Sequence, residues 1–103
     1  MRISDRLLRD KVAESIKQSE ARVYFYQASD SEYELLLRKE LEEEVNNYIL
    51  ANSSEYQQAA LAGILEVIHT LANLTGCTSD HLESLRQKRH DEEGGYSQRI
   101  VCD

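Results

Sequence analysis

Proline is absent from this chain of 103 residues, and glycine occurs only four times. Helices can therefore run long without enforced kinks. Three of the glycines, Gly76, Gly94 and Gly95, fall late in the chain, where they can act as punctuation. Cysteine is scarce as well: Cys77 and Cys102 are the only two, and they do not form a CxxC pair. That number is too small for a disulfide scaffold. The expected compartment is a reducing cytoplasm, a host's if the chain is viral. No apolar run approaches the length of a membrane span. Residues 1–5 lack the apolar core of a secretory signal. Positive charge is in deficit, with 12 Lys and Arg against 19 Asp and Glu and a net charge of −7. A nucleic-acid surface needs clustered cations, so no nucleic-acid partner is expected. A small phosphorylated ligand could still be held by a local basic pocket. There is no Gly-rich phosphate loop and no G-x-S-x-G elbow.

What remains is the balance of a soluble domain, 41% hydrophobic and 30% charged. The length supports one domain over residues 1–103 with a modest core, and burial improves if chains associate. Leu8, Val12 and Ile16 recur every fourth residue and predict a helix over about 9–20. Residues 22–27, Arg-Val-Tyr-Phe-Tyr-Gln, are β-branched and aromatic and read as a short extended segment. Ser29-Asp-Ser-Glu32 fits a capping box. A second helix then runs from about Asp30 to Leu50, with Leu37, Leu41, Val45 and Tyr48 at helical spacing. Ser54-Glu-Tyr-Gln57 reads as another box, opening a third helix over about 55–75. Leu61, Ile64, Leu65, Ile68 and Leu71 share one face of it. Gly76 stands where a helix-ending residue with positive φ belongs. Asp80-His-Leu-Glu83 reads as a third box, opening a fourth helix that Gly94-Gly95 ends. The expected fold is all-α, an antiparallel bundle of about four helices. A small two-stranded ribbon between residues 22–27 and the C-terminal tail is a further expectation.

Glu40, Glu43, Glu44 and Asn47 fall at i, i+3, i+4 and i+7 and therefore share a helix face. Like charges so spaced repel by a few tenths of a kcal/mol per pair. A divalent cation would relieve that repulsion, and magnesium commonly takes one or two carboxylates plus substrate phosphates. A solvated face of an acidic helix is the simpler reading of composition alone. Basic residues cluster twice: Arg6, Arg9 and Lys11, then Arg86, Lys88, Arg89 and Arg99 beside Gly94-Gly95. If the tail folds back, the two clusters could meet and grip phosphates; salt bridging to the excess glutamates is the alternative.

The order of motifs resembles the small MazG-like nucleotide pyrophosphohydrolases, relatives of phosphoribosyl-ATP pyrophosphohydrolase. Leu8-Arg-Asp-Lys-Val12 is similar to their opening. Glu40-Leu-Glu-Glu-Glu-Val-Asn-Asn-Tyr48 resembles their metal-binding helix. Leu65-Glu-Val-Ile68, Leu71-Ala and Gly76 resemble the third helix and its end. Arg86-Gln-Lys-Arg89 followed by Gly94-Gly-Tyr-Ser-Gln-Arg-Ile100 resembles the ending. The resemblance implies an all-α homo-oligomer that uses Mg²⁺ to release pyrophosphate from a nucleoside triphosphate. It implies metal ligands in a Glu-Glu-x-x-Glu helix and a Glu-x-x-Asp helix. Glu43 and Glu44 match the first two. Asn47, Ala60 and Gly63 stand where the other three carboxylates belong. Metal-assisted phosphoryl chemistry needs a cation held by enough charge to activate water. The expectation for the cofactor is thus a loosely held Mg²⁺ or none.

Gly63 has two readings: close approach of a neighbouring helix, or a widened uncharged pocket where the metal site lay. Glu66-Val-Ile-His69 has the E-x-x-H spacing of diiron bundles but no second copy of that motif, so His69 reads as structural. Cys77 has no evident base and reads as a small, partly buried thiol. Tyr96 stands where the similar proteins carry Phe, for packing or for stacking on a base. The expected function is nucleotide binding without hydrolysis, sequestering a nucleotide or a nucleotide-derived signal through Arg9, Lys11, Lys88, Arg89, Tyr96 and Arg99. One alternative is an active Mg²⁺-dependent hydrolase with rearranged ligands, Glu40, Glu43, Glu44, Asn47 and Glu66. Another is an oligomeric protein-interaction module.

Overall fold

The structure is a computed structural model that describes residues 6–19 and 22–103. The signal-sequence reading of residues 1–5, and position 20 at the end of the first expected helix, lie outside those residues. Among the described residues four helices follow in chain order: α1 (Asp10–Gln18), α2 (Asp30–Leu50), α3 (Ser54–Leu74) and α4 (Ser79–Glu93). The all-α expectation holds. The ribbon does not: among the described residues neither 22–27 nor the tail forms a strand. Residues 22–27 instead engage their own neighbourhood. Tyr24 and Tyr26 stack at 6.1 Å between ring centroids. Lys17 lies 5.4 Å from the centre of the Phe25 ring, a cation–π contact back to α1.

The starts of α2, α3 and α4 are capped by hydroxyls, though not always by the expected one, whereas α1 begins after Arg9 with no side-chain cap. Ser29 accepts from the Glu32 backbone N–H at 3.3 Å, as its motif predicts. The reciprocal half of that box is missing, because the Glu32 carboxylate takes the Tyr26 hydroxyl at 2.9 Å. Ser53, not Ser54, caps α3 by accepting from the Tyr56 N–H at 3.2 Å. Thr78, not Asp80, caps α4 through the His81 N–H at 3.1 Å. In both cases a hydroxyl stood one or two residues ahead of the expected cap, and the helix began there. Gly76 ends α3 as foreseen, at φ +78. Around it the Cys77 N–H bonds the Ala72 carbonyl and the Gly76 N–H bonds the Asn73 carbonyl, each at 3.0 Å. This is the Schellman pattern, which consumes two of the last orphan carbonyls.

Among the described residues only α2 and α3 pack along one another, antiparallel across the short link 51–53, and α4 touches α3 alone. The chain bends by 107° between α3 and α4. The four-helix bundle expected from the sequence is therefore a two-helix hairpin with two outlying helices. The reason is visible in α1 and α4, neither of which buries any residue. The hairpin core holds Leu36 and Leu37 from α2 against Ala60, Gly63 and Val67 from α3. No single helix is long and apolar enough to cross a membrane.

Candidate functional site

The acidic face of α2 meets small residues of α3, and these set its geometry. Ala60 and Gly63 are both buried against α2. A Cβ added to Gly63 would collide with the Glu44 carboxylate, whose Cδ lies 2.6 Å from that point. Glu44 therefore lies directly on the α3 backbone, half-buried. Of the two readings of Gly63, close approach is realised, and the approaching group is a side chain of α2 in the same chain. A side chain as large as Asp at 63 would displace it.

Glu40 is occupied from the other direction. The Arg6 guanidinium donates from Nε to Glu40 Oε1 at 2.7 Å and from Nη2 to Oε2 at 3.4 Å. That hydrogen bond and the Glu40 charge raise the Arg6 pKa above its ordinary value, with further attraction from Glu43 and Glu44. Arg6 is thus the cation that the acidic face holds. The spacing of Glu40, Glu43 and Glu44 foretold a demand for positive charge, but nothing in the pattern said that an arginine 34 residues earlier would meet it.

The remaining candidate ligands lie toward solvent. Glu43, Asn47 and Glu66 are exposed. Among the described residues no three His, Cys, Asp or Glu side chains converge as metal ligands. His69 receives or gives a hydrogen bond at 3.1 Å between its Nδ1 and the Ser79 hydroxyl. It joins α3 to the first turn of α4, consistent with a structural part. Cys77 is half-buried, its Sγ 3.6 Å from the Thr78 carbonyl.

Below Glu44 an open groove of about 470 Å³ runs to the α2–α3 link. Glu44, Asn47, Leu50, Tyr56, Ala59 and Ala60 contribute to its walls. Tyr56 was not singled out from the sequence; its position in the first turn of α3, beside two alanines, is the signal that could have marked it. The groove has a carboxylate at one end and an aromatic ring at the other.

Helices α1 and α4, which carry Lys11 of the first basic cluster and Arg86, Lys88 and Arg89 of the second, share no packing. Arg86 is held by Glu83 at 2.7 Å and Arg89 by Glu93 at 3.0 Å, so the salt-bridge alternative is realised for these two. Arg9, Lys11, Lys88 and Arg99 are exposed and form no ion pair among the described residues. Tyr96 is 97% exposed, so it does not pack the tail onto the body of its own chain. Comparison with protein-family models, with curated proteins and with solved structures finds no match.

Proposed function

We propose that this chain is a nucleotide-binding protein on a MazG-like helical scaffold, acting within a homo-oligomer and holding its ligand without hydrolysing it. The observation that carries the reading is the state of the acidic face. Glu40 is neutralised by Arg6, and Glu44 lies on the α3 backbone at Gly63. Carboxylates engaged in this way contribute less negative field toward an incoming phosphate. They are also poorly placed to hold a cation and an attacking water together, which the hydrolytic reaction requires. The exposed cations Arg9, Lys11, Lys88 and Arg99, with Arg89 and Tyr96 nearby in sequence, would supply phosphate and base contacts. Such a protein would sequester a nucleotide or a nucleotide-derived signal.

Calorimetric titration against nucleoside triphosphates, cyclic oligonucleotides and ADP-ribose derivatives, with and without Mg²⁺, tests this directly. The expected result is binding that survives removal of Mg²⁺, with intact ligand recovered by chromatography. Magnesium-dependent pyrophosphate release would overturn the reading in favour of hydrolysis. A flat titration for the whole panel would favour the protein-interaction module. A complementary experiment restores the depleted carboxylates as Asn47→Glu, Ala60→Glu and Gly63→Asp together. The triple variant is expected to bind Mg²⁺ more tightly than the parent, and the same calorimetry reads the change.

A further inference from the structure

Helix α1 has an apolar side, yet among the described residues no other helix packs on it. It is nevertheless held at both ends of its segment. Ahead of it the Arg6 guanidinium donates to Glu40 at 2.7 Å, and after it the Tyr26 hydroxyl donates to Glu32 at 2.9 Å. Both acceptors stand on α2, where they are separated by about 12 Å along the axis. Lys17 over the Phe25 ring draws residues 22–27 back alongside α1.

Around α1 the residue types sort by angle. Val12 and Ile16 share one line, and Leu8 precedes them at the same spacing. At about 100° per residue Glu14 lies opposite that line, while Lys11 and Lys17 lie about 120° to either side of it. Val12 is 46% exposed although its line is the apolar one. Lysines so placed can lay their stems beside the apolar line and keep their ammonium groups in a polar layer. Helices that lie in a membrane interface are built this way, with apolar side chains at the acyl boundary and cations among the headgroups. The nine residues of α1 reach about 14 Å, too short to cross a bilayer but long enough to lie on one. Tyr24, 82% exposed, stacks on Tyr26 in the adjoining segment, and such amphipathic rings suit headgroup depth.

Charge decides which surface fits. Residues 6–27 hold five cations, Arg6, Arg9, Lys11, Lys17 and Arg22, against three acids, Asp10, Glu14 and Glu20. This stretch is therefore +2 in a chain of −7, and the remainder carries −9. The field of so uneven a distribution turns the segment toward an anionic surface and the acidic helices away from it. Screening over about 8 Å at physiological salt confines repulsion of the body to charges that come close. Nucleic acid would engage the cations but leave the apolar line unburied.

We infer that α1 and the aromatic segment 22–27 form a peripheral docking surface for an anionic lipid bilayer. The inference does not rest on nucleotide binding and stands if none occurs.

Co-sedimentation of the full chain with lipid vesicles is the test. With about 30 mol% phosphatidylserine in phosphatidylcholine, partition is expected to exceed that on phosphatidylcholine alone at least about 10-fold and to fall as salt rises. Equal partition on the two, or none on either, would overturn the inference. Lys11→Gln with Lys17→Gln is expected to weaken binding about fivefold for each cation removed. Val12→Ser with Ile16→Ser keeps every charge and is expected to weaken it at least about 10-fold. If that variant instead alters the mass of the protein in solution and leaves vesicle binding unchanged, the face belongs to a second copy and the inference fails. Should a variant unravel so short a helix, tryptophan fluorescence decides the matter, since the chain has no tryptophan of its own. Val12→Trp is expected to shift its emission to the blue on the anionic vesicles and to be quenched by brominated acyl chains, whereas Gln87→Trp, on α4, is not. An equal response at both positions, a response at Gln87→Trp alone, or none at either would overturn it.

Discussion

Gly63 is a glycine in a helix interior, where it forgoes about 1 kcal/mol of propensity relative to alanine. The side chain that would fill its place is met by Glu44, a flexible and half-buried carboxylate that can swing outward. Gly63→Ala is accordingly expected to be neutral or stabilising by up to about 1 kcal/mol in urea unfolding. Gly63→Leu would have to wedge α2 away and should cost about 1–3 kcal/mol. A large loss for Gly63→Ala would instead mean that Glu44 is pinned. Arg6 and Glu40 form an ion pair between distant parts of the chain, but the Arg6 side chain is 56% exposed. Exposed pairs are weak, so Arg6→Ala should cost less than about 1 kcal/mol. The loss should shrink further as salt rises, because mobile ions screen both partners. Melting curves at low and high ionic strength check both points.

Among the elements, α3 and α4 depend most on how they end and begin. Gly76 holds φ +78 with nothing near its missing Cβ, so the objection to a side chain there is backbone strain alone. Gly76→Ala should cost about 1–2 kcal/mol, the penalty for an L-residue in the left-handed region. For a chain of this size that lowers the melting temperature by roughly 4–16 °C. On α4 itself the Arg86 hydrogen bonds, more than its charge alone, hold the Glu83 carboxyl below the usual carboxylate range. A depressed folded pKa means stability present above the unfolded value and lost as pH falls through the folded one. Both partners are exposed, so this adds only a small contribution to α4, one that fades as pH falls through the folded value. Amide exchange followed from neutral pH down through the carboxylate range would record it. Glu83→Gln should remove that pH dependence and leave the α2–α3 hairpin intact.

For the whole molecule the decisive quantity is surface. Among the described residues four apolar side chains, Leu36, Leu37, Ala60 and Val67, form the buried core. That is thin for 103 residues, and mass action would have to supply the remainder. The melting temperature should therefore rise with chain concentration. Unfolding scans over a wide dilution series read this, and a constant midpoint would mean that one chain is stable unaided.

Much of the local structure was legible before any coordinates. Asp30 and Leu50 bound α2 as the pattern of Leu37, Leu41, Val45 and Tyr48 indicates, and Gly76 ends α3. These features rest on 3.6-residue periodicity and on backbone sterics, both of which act within a few residues. The caps of α3 and α4 were read one and two residues late because several hydroxyls compete there, and only the realised backbone selects among them. The site was legible in its residue types and opaque in its pairing. Glu40, Glu43 and Glu44 announced a surplus of negative charge, while the partnership of Glu40 with Arg6 and the placement of Glu44 on Gly63 depend on contacts between distant segments. Four helices joined by short loops suggested a bundle, yet that pattern could not say what each helix would face. The sequence alone determined where the helices lie and which stripes are apolar, because those are properties of neighbours along the chain. Only the tertiary structure decided that α2 and α3 satisfy each other and leave α1 unpacked, because that depends on the direction in which each helix leaves its turn.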